Sequence, residues 1–428
     1  MTSIEQTKNA LKKIQENAHL KAVIEINPDA LEIAAQRDGN PDKSGVLHGI
    51  PVLVKDNVNT GDKMHTTAGA LAMAENKADK DAPSITNLRD AGAVIIGKAN
   101  MTEYANYMCD FRLNERMPNG YSSRGGQTLH PLGSHVDPSG SSTGSAVAVA
   151  AGLVDMAVGS ETYGSIISPS QLCGVVGLKP TDGLVSKEGV IPISFTLDTL
   201  GPITSSVQGA ADLLSGLTGK EYKMAAKLAV VGVCHLGADE THDWYKAQVE
   251  LVENMKAAGM TVKDLSDDSI AKWAKPGTDF FIFPIMEYEF KHAINSYLAT
   301  SNNPHKTLDQ LIDFNEANKE IALKYGQGNL IKAAEKTDNW KNEPEYVKAL
   351  SERELAQKTL DKYFDDNGID VLLMMSANCA IAAGLGFPSL TMPLGKTSAG
   401  LPIGCLLMAR RFDEDMLLAT AKTVEKGR

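Results

Sequence analysis

Three short segments of this 428-residue chain set a reactive polar group where the surrounding pattern predicts burial. The first ends at Lys55, directly after the apolar run Ile50, Pro51, Val52, Leu53 and Val54. Such a run suits a strand buried on both faces. In open α/β sheets the ligand crevice lies at strand ends. A lysine taken out of water there has its charged form destabilised, so its pKa falls. The neutral amine that results can act as a general base. Snorkelling to water, or pairing with Asp56, is the competing use of the same residue.

The second segment is Gly140-Ser141-Ser142-Thr143-Gly144-Ser145. Its glycines permit unusual backbone angles and expose neighbouring N–H groups. A phosphate-cradling loop would need a Gly-Lys-Ser/Thr ending, which is missing. Gly140 to Gly144 fits the G-x-S-x-G elbow literally, but that motif needs a strand before it, and HPLGSHVDP stands there instead. A plain Ser/Gly turn remains open. The third segment is GSETYGSIISP, residues 159–169. Successive backbone N–H groups from Thr162 to Ser165 could converge on one point, which is what an oxyanion hole requires. A solvated turn is the alternative.

A serine nucleophile usually takes a histidine base. His19, His48, His65, His130, His135, His235, His242, His292 and His305 are scattered, and none sits in a strand-end motif with a partner carboxylate. Lys55 is therefore the basic candidate.

The elements that must position these groups read as a layered α/β fold. Leu11, Ile14, Ala18 and Val23 fall near helical spacing, and a second helix is expected after Asn27 as N-cap with Pro28 at its first position. GIPVLVKDN (49–57) predicts a buried strand, 84–92 a helix, and AVIIGK (93–98) another strand. Residues 117–145 are dense in Gly, Ser and Pro and predict a long functional loop. A helix of small residues is expected over 146–154, then the short strand MAVGSE. Further strands are expected at 227–233, 368–375 and 387–395, with a helix over 242–259. The stretch from about 265 to 365 reads as helical and charged and offers no chemical motif.

Hydrophobic residues make up 43% and charged residues 22%, an ordinary balance for a soluble globular protein. The net charge of -11, with no run of Lys and Arg, gives no footing on a phosphate backbone, so no nucleic-acid partner is expected. Cys109, Cys173, Cys234, Cys379 and Cys405 are far apart, with no CxxC pair, which indicates neither a disulfide framework nor a zinc site. The opening MTSIEQTKNALKKIQ lacks the apolar stretch of a signal peptide, and no run approaches ~18 apolar residues. No membrane association is expected, and the expected location is cytoplasmic.

The stretch from Ser139 to Thr181 resembles the signature of the amidase signature family nearly end to end. GIPVLVKDN is similar to that family's lysine motif, and GKANMTEYAN (97–106), residues 184–207 and FPSLTMPLG…GLPIG (387–404) are similar to further family segments. The resemblance implies a single large α/β/α layered domain over 1–428, with a central mixed sheet covered by helices. It implies a signature core over about 45–215, a variable helical substrate-side region over about 220–365, and C-terminal strands and a helix returning to the core. It also implies a serine amidase with a Ser-cisSer-Lys triad. Lys55 matches the catalytic lysine, Ser141 the bridging serine held through a cis peptide bond, and Ser165 the nucleophile, 24 residues further on. Thr162, Tyr163, Gly164 and Ser142 match oxyanion and substrate-binding positions. No cofactor or metal is implied. Ser139-Gly140 stands where Gly-Gly is frequent, Tyr163 where Gly or Asp is common, and Ile167 replaces a frequent arginine. The loop YSSRGGQTLHPLGSHVDPSGSSTGS looks most like that of bacterial peptide amidases, so the expected partner is a peptide amide or other small amide. A homodimer is compatible with this reading. The alternative is an ammonia-supplying amidotransferase component that needs a partner protein.

Overall fold

The computed structural model describes residues 1–425 except 111–112, 237, 267–268, 272–280 and 377–378. Its centre is an eleven-stranded sheet. In chain order the strands are β1 (Val23–Ile26), β2 (Pro51–Lys55), β3 (Val94–Ala99), β4 (Met156–Glu161), β5 (Val176–Lys179), β6 (Thr199–Thr204), β7 (Val230–Cys234), β8 (Thr261–Leu265), β9 (Val371–Met374), β10 (Ser389–Thr391) and β11 (Leu407–Ala409). Across the sheet they run β1-β3-β2-β4-β6-β5-β10-β11-β9-β7-β8. The sheet is mixed: β2 is parallel to both β3 and β4, whereas β4 and β6 are antiparallel. At the far edge β7 is parallel to both β8 and β9.

Every residue of β2 and β3 is buried, as their unbroken apolar runs predict. Side chains alternate between the two faces. Val52 and Val54 enter a core with Ile85, Leu88, Leu213 and Leu417. Leu53 enters the opposite core with Ala34, Ala146 and Val147. Lys55 continues the alternation of Leu53 and so heads toward the layer that holds the helix Thr143–Ala150. Helices thus cover both faces of the sheet. A third core lies in the helical half, where Phe290, Ile294, Tyr346, Leu360 and Phe364 pack together.

Several local expectations give way to tertiary packing. Val23 joins an edge strand opposite Ala99 rather than a helix. The second helix starts at Ala30 with Asp29 at the cap. Asn27 instead spends its amide on the Ile95 carbonyl at 2.8 Å and accepts the Asp29 N–H at 3.0 Å. The long loop contains one two-residue pairing, Tyr121–Ser122 with Gly126–Gln127. The following helix begins at Thr143, three residues earlier than its apolar pattern suggests. The segment 387–395 divides between β10 and a separate ribbon, Pro393–Lys396 with Pro402–Gly404.

Candidate active site

The site is built at the ends of β2 and β4, which are neighbours in the sheet. Lys55 closes β2 with its side chain fully enclosed. The loop before the helix Thr143–Ala150 crosses directly over it. Gly144, in the first turn of that helix, lets it press against the chain beside β1 and β3, because a Cβ there would lie 2.3 Å from the Asn100 carbonyl oxygen and 2.4 Å from that of Ala22. The Gly140–Ser141 peptide bond is cis. Lys55 Nζ donates to Ser141 Oγ at 2.8 Å, to Ser142 Oγ at 2.9 Å and to the Ser160 carbonyl at 3.1 Å.

These three contacts are not equivalent. Ser142 Oγ donates to the Ser160 carbonyl at 3.0 Å and accepts the Ser160 N–H at 3.2 Å. Its own proton is thus committed, and toward Lys55 it can only accept, as can the Ser160 carbonyl. Two N–H groups of Lys55 go to these two acceptors. The third position of the nitrogen faces Ser141 Oγ, and in a neutral amine that position is a lone pair. Burial pushes the Lys55 pKa down to about 7, opposed by the charges of Glu161 and Asp198. The neutral form is therefore accessible near neutral pH.

Ser165 lies past the end of β4, in the turn before the helix Ile167–Cys173. Its carbonyl accepts the Ser142 N–H at 3.2 Å, which ties the two serine segments together. Ser165 lines a cavity of about 310 Å³ with Gly140, Thr162, Tyr163 and Ile193. Met117, Phe283 and Met286 form apolar parts of its wall, and Glu115, Arg116 and Asn329 polar parts. Among the described residues no histidine lines this cavity. A larger cavity, about 690 Å³, lies on the other side of the segment 192–198 and contains none of the three serines.

The sequence-predicted residues therefore divide into two sets. Lys55, Ser141 and Ser142 are together and fully buried, while Thr162, Tyr163 and Ser165 face the cavity. Gly164 has a positive φ of 86°, and its α-carbon turns toward Cys379 and Ser168 rather than the cavity. Ser142, expected beside the substrate, is instead enclosed behind Ser141 as a holder of Lys55, because its hydroxyl is used up by Lys55 and Ser160.

Two carboxylates outside the predicted set organise the turn. Glu161 Oε2 accepts the N–H groups of Ile166 at 2.7 Å and Ile167 at 3.0 Å. Its burial raises its pKa, opposed by Lys179 and by those backbone donors. Asp198 Oδ1 accepts the Thr162 hydroxyl at 2.6 Å. A signal existed for Glu161: like Lys55, it is the ionisable last residue of a buried strand. Asp198 carries no such signal, because only the sheet register brings it to Thr162.

The Amidase family matches residues 5–383. The chain belongs to this family. It is 33% identical to a probable amidase of Arabidopsis thaliana, over 96% of this chain and 84% of that protein. The solved structure of native peptide amidase from Stenotrophomonas maltophilia superposes with a TM-score of 0.89 at 34% identity, covering 99% of this chain and 93% of that one. One of the glutamyl-tRNA(Gln) amidotransferase polypeptides of Methanospirillum hungatei is 29% identical over 90% of this chain and 94% of its own length. The enzyme is thus an amide-hydrolysing one, on a fold shared with family members of solved structure. Among the described residues no helix is long and apolar enough to cross a membrane.

Proposed function

We propose that this enzyme cleaves a carboxamide through an acyl-enzyme on Ser165, with Ser141 as proton relay and Lys55 as base. The observation that carries the reading is the enclosed Lys55 amine, 2.8 Å from Ser141 Oγ and with its pKa lowered to about 7. Neutral Lys55 takes the Ser141 proton as Ser141 takes that of Ser165. Ser165 Oγ then bonds to the amide carbon. Backbone N–H groups of the turn 162–165 hold the developing oxyanion. As the C–N bond breaks, the proton on Lys55 returns through Ser141 to the leaving nitrogen, which departs as ammonia or an amine. Water repeats the sequence on the ester, releasing the acid and restoring Ser165. The Stenotrophomonas enzyme is named a peptide amidase, and the cavity's size and partly apolar wall suit the end of a peptide amide or another small amide.

The amidotransferase likeness supports a second reading, in which the chain supplies ammonia to a partner protein. The test is ammonia release by the purified chain from C-terminal peptide amides, aliphatic amides, aromatic amides and glutamine, beside Ser165→Ala. Release by the wild type alone supports the hydrolase. Release from glutamine only after a partner is added supports the second reading. Equal release by Ser165→Ala removes Ser165 as nucleophile.

A further inference from the structure

The antiparallel register of β4 and β6 sets Glu161 opposite Thr199. The next residues outward, Thr162 and Asp198, therefore face each other beyond the sheet, and the Thr162 hydroxyl donates to Asp198 Oδ1 at 2.6 Å. The other oxygen, Oδ2, accepts the N–H groups of Ile193 at 2.8 Å and Ser194 at 3.0 Å. Asp198 thus closes the turn 193–198 and clamps it to the turn that carries Ser165. Ile193 at the start of the closed turn lines the same cavity as Thr162 and Ser165.

The closed turn is gripped from its far side by the helical half. Glu289, on the helix Ile282–Thr300, is buried and takes four donors. The Ser194 hydroxyl and the Thr196 N–H (2.9 Å) donate to Oε2. The Thr196 hydroxyl and the Tyr346 hydroxyl (2.7 Å) donate to Oε1, and Tyr346 comes from the separate helix Pro344–Asn367. A carboxylate saturated in this way has one stable orientation, because breaking any bond leaves a buried polar atom unpaired. The connection is continuous: Tyr346, Glu289, Ser194 with Thr196, Asp198, Thr162. It joins the half of the chain without recognisable motifs to the backbone proposed to hold the oxyanion.

We infer that Asp198 and Glu289 are positioning residues, which set the Thr162–Ser165 backbone for the transition state from the helical half of the protein. The inference rests on the acyl-enzyme reading above. Neither carboxylate touches the reacting atoms. Asp198 is also one of the two charges that sustain the protonated form of Lys55, whereas Glu289 is not.

The experiment compares Asp198→Asn, Glu289→Gln, Thr162→Val and Thr162→Ser in the full chain, on the best amide of the panel, with Ser165→Ala alongside. Each is assayed well below its own melting temperature. Three quantities are read: kcat, KM, and the inhibition constant of an aldehyde analogue of the substrate, which forms a tetrahedral adduct with a nucleophilic serine. Misplacing the oxyanion donors predicts a fall in kcat of about tenfold to a hundredfold, with KM little changed and the aldehyde weakened by the same factor. Thr162→Val, which loses the hydroxyl, lowers kcat by several-fold more than Thr162→Ser, which keeps it. Thr162→Val and Asp198→Asn combined cost clearly less than the two losses multiplied, since both disturb the same Thr162–Asp198 contact. Asp198→Asn moves the acid limb of the pH profile to lower pH, and Glu289→Gln leaves it in place. Where Glu289→Gln fails to fold, Tyr346→Phe, which removes one of the four donors to Glu289, is read in its place. Losses confined to KM or to melting temperature, or a fully active Thr162→Val, overturn the inference while an inactive Ser165→Ala leaves the acyl-enzyme reading standing. An active Ser165→Ala brings down that reading itself.

Discussion

Lowering the pH from about 8 to about 6 bears most directly on Lys55. Its amine is enclosed, and burial brings its pKa from 10.5 to about 7. With that midpoint, about nine-tenths of the molecules carry a neutral amine at pH 8, half at pH 7 and about one-tenth at pH 6. If the neutral amine is the base, kcat/KM falls roughly tenfold between pH 8 and pH 6 and then about tenfold for each further unit. A lysine at the ordinary value would be neutral in only about one molecule in 30,000 at pH 6, and its activity would climb past pH 9. The shift has a counterpart in stability. Between about 7 and 10.5 the unfolded chain holds a proton on Lys55 that the folded chain does not, so this group's contribution to stability rises with pH through that window. Below about 7 its unfavourable contribution is complete. The assay is ammonia release at constant ionic strength from about pH 5 to 9.5, with circular dichroism at each pH. A single limb near 7 with unit slope is the expected result. A flat profile between pH 5.5 and 8, a midpoint near 4.5, or a rise continuing above 9 would refute the argument from enclosure.

Glu161→Gln removes a charge that sustains protonated Lys55 and weakens an acceptor of the Ile166 and Ile167 N–H groups. The limb should move to lower pH while the plateau falls, and a limb that stays in place would detach Glu161 from Lys55. Ser141→Ala interrupts the proposed relay, so kcat should fall by about 10²–10⁴ with KM little changed. Steady-state kinetics on the best substrate check this, and a kcat within a few-fold of wild type would mean that Lys55 reaches Ser165 without Ser141. Gly144→Ala drives a methyl group into the carbonyl oxygens of Asn100 and Ala22. Both belong to packed backbone with little room to move, so urea unfolding should show a loss of about 1–3 kcal/mol or more. An unchanged midpoint would mean that the start of the helix Thr143–Ala150 does not press against the backbone of Ala22 and Asn100.

How far each element was legible depended on how local its cause was. The strand Pro51–Lys55 was readable because burial on both faces demands apolar residues without a break, and the chain supplies them. Val23 misled because its spacing fits a helix, yet the open edge beside Ala99 offers backbone hydrogen bonds that further turns of the first helix do not outweigh. The helix at Thr143 began early because its first turn is polar: Ser142 and Ser145 point their hydroxyls at the Ser160 and Val158 carbonyls, leaving an apolar pattern visible only from Ala146. The helical half looked empty of chemistry because Glu289 and Tyr346 act through a turn elsewhere in the chain, and no local spacing records that.

The sequence by itself determined which chemistry was available: a lysine at a strand end, two Gly/Ser turns that can bring backbone and hydroxyls close, and no histidine arranged as a base. Those are properties of residue type and near neighbours, and they survive any packing. Only the tertiary structure decided that Lys55 and Ser141, 86 residues apart, meet at 2.8 Å. It also decided that Ser142 faces inward rather than toward the substrate, and that Asp198 meets Thr162. Sheet register and desolvation set each of these, and both depend on strands that lie far apart in the chain.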